Sequence, residues 1–282
     1  MNLKPETLIF AILLPVTSRG TASPEDCIDN LTRFGLSLSR TTKNETHPHR
    51  TASFHLKIYL ALDSDDRFLV DGTKAEDALQ GSDVFEIHRI VSNFGKGHVY
   101  SLWRECAKRA WEEGADYMCL MGDDVEFLDD GWLLDVARNF SRVSNNEEDL
   151  SGFGCVAFTN TSFPDSPTFP IVSKVHMDLF GEVIPDRFIN QDGDTYLFQL
   201  YRRFGSSLRI QSRIQNVGGI GNARYQKKHA ADWTFGTLDS ATEVIIDSMK
   251  NKGFSIKRKI TLDVVVPSYR VQMRFLDRKS VG

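Results

Sequence analysis

Nine consecutive apolar residues, Leu8 to Val16, stand near the start of the chain with no polar position among them. That is well short of the roughly 20 residues a bilayer span needs. It lacks the alternation of a half-buried strand and reads as a strand covered on both faces. The run stops at a proline and delivers Thr17, Ser18 and Arg19 to a loop. A secretory leader is the competing reading, but Lys4 is offset by Glu6 where a positive segment is expected.

Downstream the period switches between strand and helix. Ser23, Pro24 and Asp26 form an S-x-x-D start, after which Ile28, Leu31, Phe34 and Leu38 recur at helical spacing. A polar loop, RTTKNETHPHRTA, separates them from the β-rich run FHLKIYLALDSDD, and SDVFEIHRIV reads as a third strand. Past a Gly95–Gly97 turn, Val99, Leu102, Trp103, Cys106 and Ala110 mark one helix face that ends at Gly114. DYMCLMGDD is a short apolar strand running into carboxylates; Trp132, Val136, Phe140 and Val143 mark another helix; FGCVAFTN is a further strand. Tyr196, Leu197, Leu200, Tyr201 and Phe204 form the stripe of a helix closing at Gly205, and Val244, Ile245 and Met249 belong to one more. Strands alternating with helices predict an α/β fold with a mostly parallel central sheet flanked by helices.

Ligands of such sheets bind beyond the carboxyl ends of the strands. There the first strand supplies Pro15, Thr17, Ser18 and Arg19, the second Asp63, Asp65 and Asp66, and the fourth Gly122, Asp123, Asp124 and Glu126. Acids gathered at the ends of buried strands suit a hard cation such as Mg²⁺ or Mn²⁺, whose other positions accept phosphate or water; capping of the following turn is the plainer alternative. DSDDRFLVDG is not an EF-hand loop, because its sixth position is Phe68 where glycine is required. Asp192 and Asp194 stand at a helix start, a place for either a cap or a general base. In GGIGNARYQKKHAADW, residues 218–233, Arg224, Lys227 and Lys228 are placed to neutralise phosphate, and His229 to complete a metal shell. The rival reading is a solvated loop. His176 packs under the sheet or faces a ligand, and the aromatics Phe163, Phe169, Phe180, Phe188 and Tyr196 divide between core and stacking on a ligand.

Composition narrows the partners. The chain has 282 residues, 41% of them hydrophobic and 26% charged, with a formal net charge of −4. It holds one large domain or two small ones, and the acidic balance disfavours a nucleic-acid partner. Cys27, Cys106, Cys119 and Cys155 are widely spaced and read as free thiols of a reducing, cytoplasmic or nuclear compartment.

Taken together, a strand ending in P-x-T/S-x-R, a second ending in aspartates, the apolar strand with MGDDVEF and the later FGEVIPDRFINQDGDTYLFQLYRRFG resemble a nucleotide-sugar glycosyltransferase of the GT-A fold. The likeness covers about residues 7–235 and is closest to the inverting family-2 type. It implies a Rossmann-like sheet and a Mn²⁺ or Mg²⁺ ion on Asp124, the second aspartate of the D-x-D motif. It also implies Asp194 as catalytic base, and Asp63 with the Thr17–Arg19 loop around the nucleotide base and ribose. A nucleotide-diphosphate sugar, by default a UDP-sugar, is the implied donor. Two positions depart from the pattern. The first D-x-D aspartate is Gly122, which leaves Asp123 or Glu126 to join Asp124, and the glutamate of the E-D pair is Gly193.

The chain's end repeats its beginning: ITLDVVVPSYRVQMRFL is again an apolar strand followed by proline, a hydroxyl residue and arginine. Residues 1–250 therefore read as the transferase domain. Residues 251–282 read as a basic link and extra strand, the start of a second transferase domain in a longer protein or an addition to the first sheet. Two other function classes compete: a non-catalytic nucleotide-sugar or carbohydrate-binding module on the same fold, and a nucleotidyltransferase. The second is disfavoured because PVTSRGTASPED holds one glycine and one arginine where a glycine-rich basic phosphate loop belongs.

Overall fold

The computed structural model describes residues 7–46, 53–79, 84–144, 151–217, 224–230 and 236–253. The glycines and neighbours at 218–223 and the echoed strand near 260–276 lie outside them. Among the described residues, eight strands make one sheet: β1 (Thr7–Val16), β2 (Ser53–Asp63), β3 (Phe85–Ser92), β4 (Tyr117–Leu120), β5 (Val125–Phe127), β6 (Cys155–Asn160), β7 (Pro170–Ser173) and β8 (Ser207–Asn216). Their order is β3-β2-β1-β4-β7-β6-β8-β5. The helices are α1 (Asp26–Thr42), α2 (Arg67–Val70), α3 (Lys74–Leu79), α4 (Val99–Glu112), α5 (Trp132–Val143), α6 (Lys174–Phe180), α7 (Gly193–Arg202) and α8 (Leu238–Asn251).

β1 is apolar throughout because both of its faces are covered. Phe10, Ile12, Leu14 and Val16 belong to one core with Leu31, Phe34 and Leu38 of α1 and Trp132 and Phe140 of α5. Ala11 and Leu13 belong to the other, with Trp103, Cys106 and Ala110 of α4 and Leu197 and Leu200 of α7. β1 pairs in parallel with β2 on one side and β4 on the other. The chain therefore winds outward in two directions from β1. That reversal is where an open α/β sheet forms its ligand crevice.

The sheet is more mixed than expected. β2–β3 and β6–β8 are also parallel, but β7 runs antiparallel to both β4 and β6, and β5 antiparallel to β8. α1 starts at Asp26, two residues later than expected. Only half of the capping box forms. Asp26 accepts the Ser23 N–H at 3.1 Å, while the Ser23 hydroxyl turns to Glu25. α1 then continues to Thr42, into the expected loop. Six elements go beyond the expectation from the sequence: α2, α3, α6, β5, β7 and β8.

Candidate active site

The ends of β1, β2 and β4 enclose a cavity of about 190 Å³. Pro15 and Thr17 line it from β1, Asp63 from β2, and Gly122, Asp123 and Asp124 from β4. Its other walls include His98 and Trp103 from the α4 side, Phe169, Asn216 at the end of β8, and Arg224 and Tyr225. Trp103 builds the floor: its indole N–H donates at 3.1 Å to both the Leu13 and the Met121 carbonyls, joining β1 to β4 where they part.

The loop after β1 is held from behind. Asp66, buried, accepts from the Thr17 hydroxyl at 3.0 Å, the Ser18 N–H at 2.8 Å and the Ser18 hydroxyl at 2.6 Å. The Arg19 guanidinium donates to Asp63 at 2.5 Å and Asp65 at 2.7 Å. Ser18, Arg19 and Asp65 thus shape the loop and do not line the cavity. The acids at the end of β2 are consumed largely by this scaffold, which the sequence offers no means of seeing across some fifty residues. Asp63 is the exception. Burial raises its pKa against the opposing pull of Arg19, and its Oδ1 is buried with no hydrogen-bond partner. An orphaned acceptor of that kind suits an N–H donor from a ligand.

At the end of β4 the two carboxylates are used differently. Asp123 is gripped by both terminal nitrogens of Arg224, one of them at 2.6 Å, and Arg224 also donates to the Thr17 carbonyl at 3.1 Å. This arginine ties β1 to β4 across the crevice. Asp124 makes no ion pair with an arginine among the described residues, though it feels the charge of Arg224. Its Oδ1 accepts from the Asn216 amide at 3.3 Å, and its pKa is raised, first by burial and then by Asp123. A side chain at Gly122, such as the acid that the D-x-D pattern would place there, would have to displace the Asp124 carboxylate. A Cβ would stand 2.9 Å from Asp124 Oδ1 and 3.3 Å from the Phe169 ring.

Two residues expected in the metal shell are elsewhere. Glu126 lies on the edge strand β5, where strand alternation sets it apart from buried Val125 and Phe127; it accepts from Gln215 at 2.8 Å and lies 3.7 Å from Arg33. His229 is mostly exposed, and its Nδ1 lies 3.1 Å from Asp192. Among the described residues no group of three or more His, Cys, Asp or Glu is arranged to hold a metal ion. The donor set still fits a cation carried chiefly by a ligand. One carboxylate lining the cavity, Asp124, has no ion pair among the described residues, and phosphate oxygens and water commonly supply the remaining positions of Mg²⁺.

Beside this cavity is a second, open one of about 610 Å³, lined by Lys96, Asn190, Arg224, Tyr225, Gln226 and Lys228, among others. The segment 224–230 is the partition. Asn190 fastens it by donating to the Gln226 carbonyl and accepting from the Lys228 N–H, and Asp192 accepts from the Ala230 N–H. Asp192 holds this position in a left-handed conformation, with φ of 75°. Next to it, on the first turn of α7, is Asp194. Its carboxylate accepts from the Thr195 N–H at 2.9 Å. Its pKa is raised to about 6, chiefly by burial, with Asp192 adding to the rise. Tyr225 lines both cavities, whereas Asp194 is not among the residues lining either.

Of the remaining residues singled out, His176 packs under the sheet. Its ring nitrogens lie 2.8 Å from the Tyr201 hydroxyl and 3.1 Å from the Val183 carbonyl, and burial lowers its pKa to about 4. Phe188 and Tyr196 are core, whereas Phe169 reaches the cavity. Trp103, Asn216 and Tyr225 were not foreseen. Asn216 had a signal, since β8 alternates Ile210, Ser212 and Ile214 with Arg209, Gln211 and Arg213.

No protein-family model and no curated protein matches the chain. Among solved structures, the fold is similar to S. aureus TarS, at 11% identity over 74% of this chain and 36% of that one, with a TM-score of 0.45. It is also similar to a Desulfovibrio desulfuricans G20 protein described as a nucleotide-diphospho-sugar transferase (13% identity, 88% and 98% covered, TM-score 0.42). A third is the mannosyltransferase PcManGT of Pyrobaculum calidifontis, in complex with GDP-Man and Mn²⁺ (8% identity, 100% and 82% covered, TM-score 0.44). The chain spans 36% of the length of TarS. At these identities the likeness is one of fold alone. Among the described residues no helix is long and apolar enough to cross a membrane.

Proposed function

We propose that the chain is a glycosyltransferase of the GT-A type that moves a sugar from a nucleotide-diphosphate donor to an acceptor hydroxyl. One observation carries this reading: the ends of β1, β2 and β4 converge on one cavity at the sheet's reversal point, with Asp63 and Asp124 among the residues that line it. In this reading the nucleotide base meets the orphaned oxygen of Asp63, which matches an imino N–H such as that of uracil. The diphosphate lies toward Asp124 and Arg224. A divalent cation, Mn²⁺ or Mg²⁺, would be held by Asp124 and would offset the charge that builds on the departing nucleoside diphosphate.

Asp194 is suited to the base role because its raised pKa makes it a better proton acceptor than an ordinary aspartate while it stays ionised at neutral pH. The acceptor oxygen would bond to the anomeric carbon as the bond to the diphosphate oxygen breaks, and its proton would pass to Asp194. Attack opposite the leaving group inverts the anomeric centre. The 190 Å³ cavity is smaller than the 300–1,000 Å³ typical of ligand pockets, and Arg224 and Tyr225 are walls that it shares with the open 610 Å³ cavity beside it.

The test is release of nucleoside diphosphate from UDP-glucose, UDP-N-acetylglucosamine and GDP-mannose, with Mn²⁺ and water as the fallback acceptor. Release from one donor is expected, lost in Asp194→Asn with donor binding retained. A donor that binds and is hydrolysed equally fast by Asp194→Asn would remove Asp194 from the chemistry.

A further inference from the structure

The open cavity differs in charge from the one between β1 and β4. That first cavity carries Asp63, Asp123 and Asp124 on its walls. Of the eight residues lining the open one, Lys96, Arg224 and Lys228 are cations and none is an acid, in a chain whose formal net charge is −4. The three cations are not equivalent. The Arg224 guanidinium is taken by Asp123 and the Thr17 carbonyl. Lys96 and Lys228 are exposed and have no ion pair among the described residues. Lys228, expected from the sequence at the donor phosphates, lines this cavity and not the first. The rim that carries both lysines is fixed from behind. Asn190, buried, donates to the Gly97 carbonyl at 2.8 Å and the Gln226 carbonyl at 3.1 Å, and accepts the Lys228 N–H at 2.8 Å. One side chain thus anchors the backbone beside Lys96 and at Lys228. Gly20 and Gly97, both left-handed with φ of 85° and 84°, let the partition pack closely. A Cβ at Gly20 would run into the Arg224 carbonyl, and one at Gly97 would stand 3.1 Å from the Tyr225 side chain.

We propose that the open cavity is an acceptor subsite for a phosphate group held by Lys96 and Lys228, so that the molecule receiving the sugar is phosphorylated. The inference rests on the transferase reading. Gly97, Arg224 and Tyr225 line both cavities, so a molecule in the open one lies alongside the donor. The kind of cation selects the kind of anion. A planar carboxylate is best held by the fork of an arginine, and the fork of Arg224 is already filled. Two compact ammonium charges on exposed stems suit the rounder, more highly charged phosphate. The volume of about 610 Å³ is within the range of pockets that hold small organic molecules.

The experiment titrates the full chain with glucose 6-phosphate and with glucose, followed by amide NMR. Glucose 6-phosphate should bind saturably and glucose should not. Changing Lys96 and Lys228 together to glutamine should weaken binding about tenfold, the worth of one hydrogen bond to a charged group. Both positions are exposed, so the fold is not at stake. Raising the ionic strength should weaken binding as well, because exposed charges are screened. A third titration, with UDP and Mn²⁺ already at saturation, separates the two sources of phosphate: glucose 6-phosphate should still bind. Its displacement by the nucleotide would make the cavity part of the donor's own phosphate site and overturn the proposal. So would binding unchanged in the double variant, or no binding of glucose 6-phosphate at all. Failure of both UDP and GDP to bind, with lysine-dependent binding of glucose 6-phosphate intact, would instead count against the transferase reading and hence the acceptor role, leaving a phosphate site without it.

Discussion

Replacing Asp194 by asparagine should make the protein more stable at pH 8 while removing its activity. Asp194 has a pKa of about 6 in the fold against an ordinary value of 3.8, raised first by burial and then by Asp192. Between those two values the folded protein keeps a proton that the unfolded chain has already released, so stability falls as pH rises through that window. A rise of about two pH units corresponds to about 3 kcal/mol at 1.36 kcal/mol per unit. Asp194 is partly exposed, and solvent screening trims this to about 1–2 kcal/mol. Asparagine keeps an oxygen for the Thr195 N–H and carries no charge to desolvate. Urea unfolding of the wild type and of Asp194→Asn at pH 4 and at pH 8 measures the difference directly. The variant's advantage should be near zero at pH 4 and about 1–2 kcal/mol at pH 8. A variant less stable than the wild type at pH 8, or a difference independent of pH, would refute the argument that this carboxylate is held at a cost.

Two further outcomes follow from the same geometry. Trp103→Phe removes the N–H shared by the Leu13 and Met121 carbonyls and should cost about 1–3 kcal/mol in urea unfolding, with weaker nucleotide binding because the floor between β1 and β4 loosens. The four cysteines are free and buried, with burial pushing the Cys27 thiol up to about 12 and the other three higher still; a thiol reagent such as DTNB at pH 8 should therefore label none in the native protein within minutes and all four in guanidinium.

The strands that build the cavity were legible because burial on both faces leaves no other pattern for β1, and because β2 and β4 run straight from apolar residues into acids. What those acids do was less legible. Asp66 and Arg19 are spent on the β1 loop, and Asp123 on Arg224, about a hundred residues away. Strand geometry separates Glu126 from the cavity, and Asp192 takes His229. None of these pairings leaves a trace in local spacing. Gly122 and Gly193 read as departures from a motif, and only the packing shows what each accommodates: Asp124 with Phe169 in one case, Tyr100 with Ile184 in the other. The missed β8 is different in kind, since its two-residue alternation is written in the sequence; β5 and β7, by contrast, are three and four residues long, too short for any period to register.

The central claim is that a nucleotide-diphosphate donor occupies the cavity between β1 and β4. The most direct measurement is calorimetric titration of UDP and of GDP, each with Mn²⁺, into the wild type, Asp124→Ala and Asp63→Asn. The account predicts saturable, metal-dependent binding of one nucleotide, weakened at least tenfold by either substitution. At a hundred times its dissociation constant that nucleotide should stabilise the fold by about 2.7 kcal/mol. Failure of both nucleotides to bind a folded wild-type protein, or binding untouched by both substitutions, would contradict it.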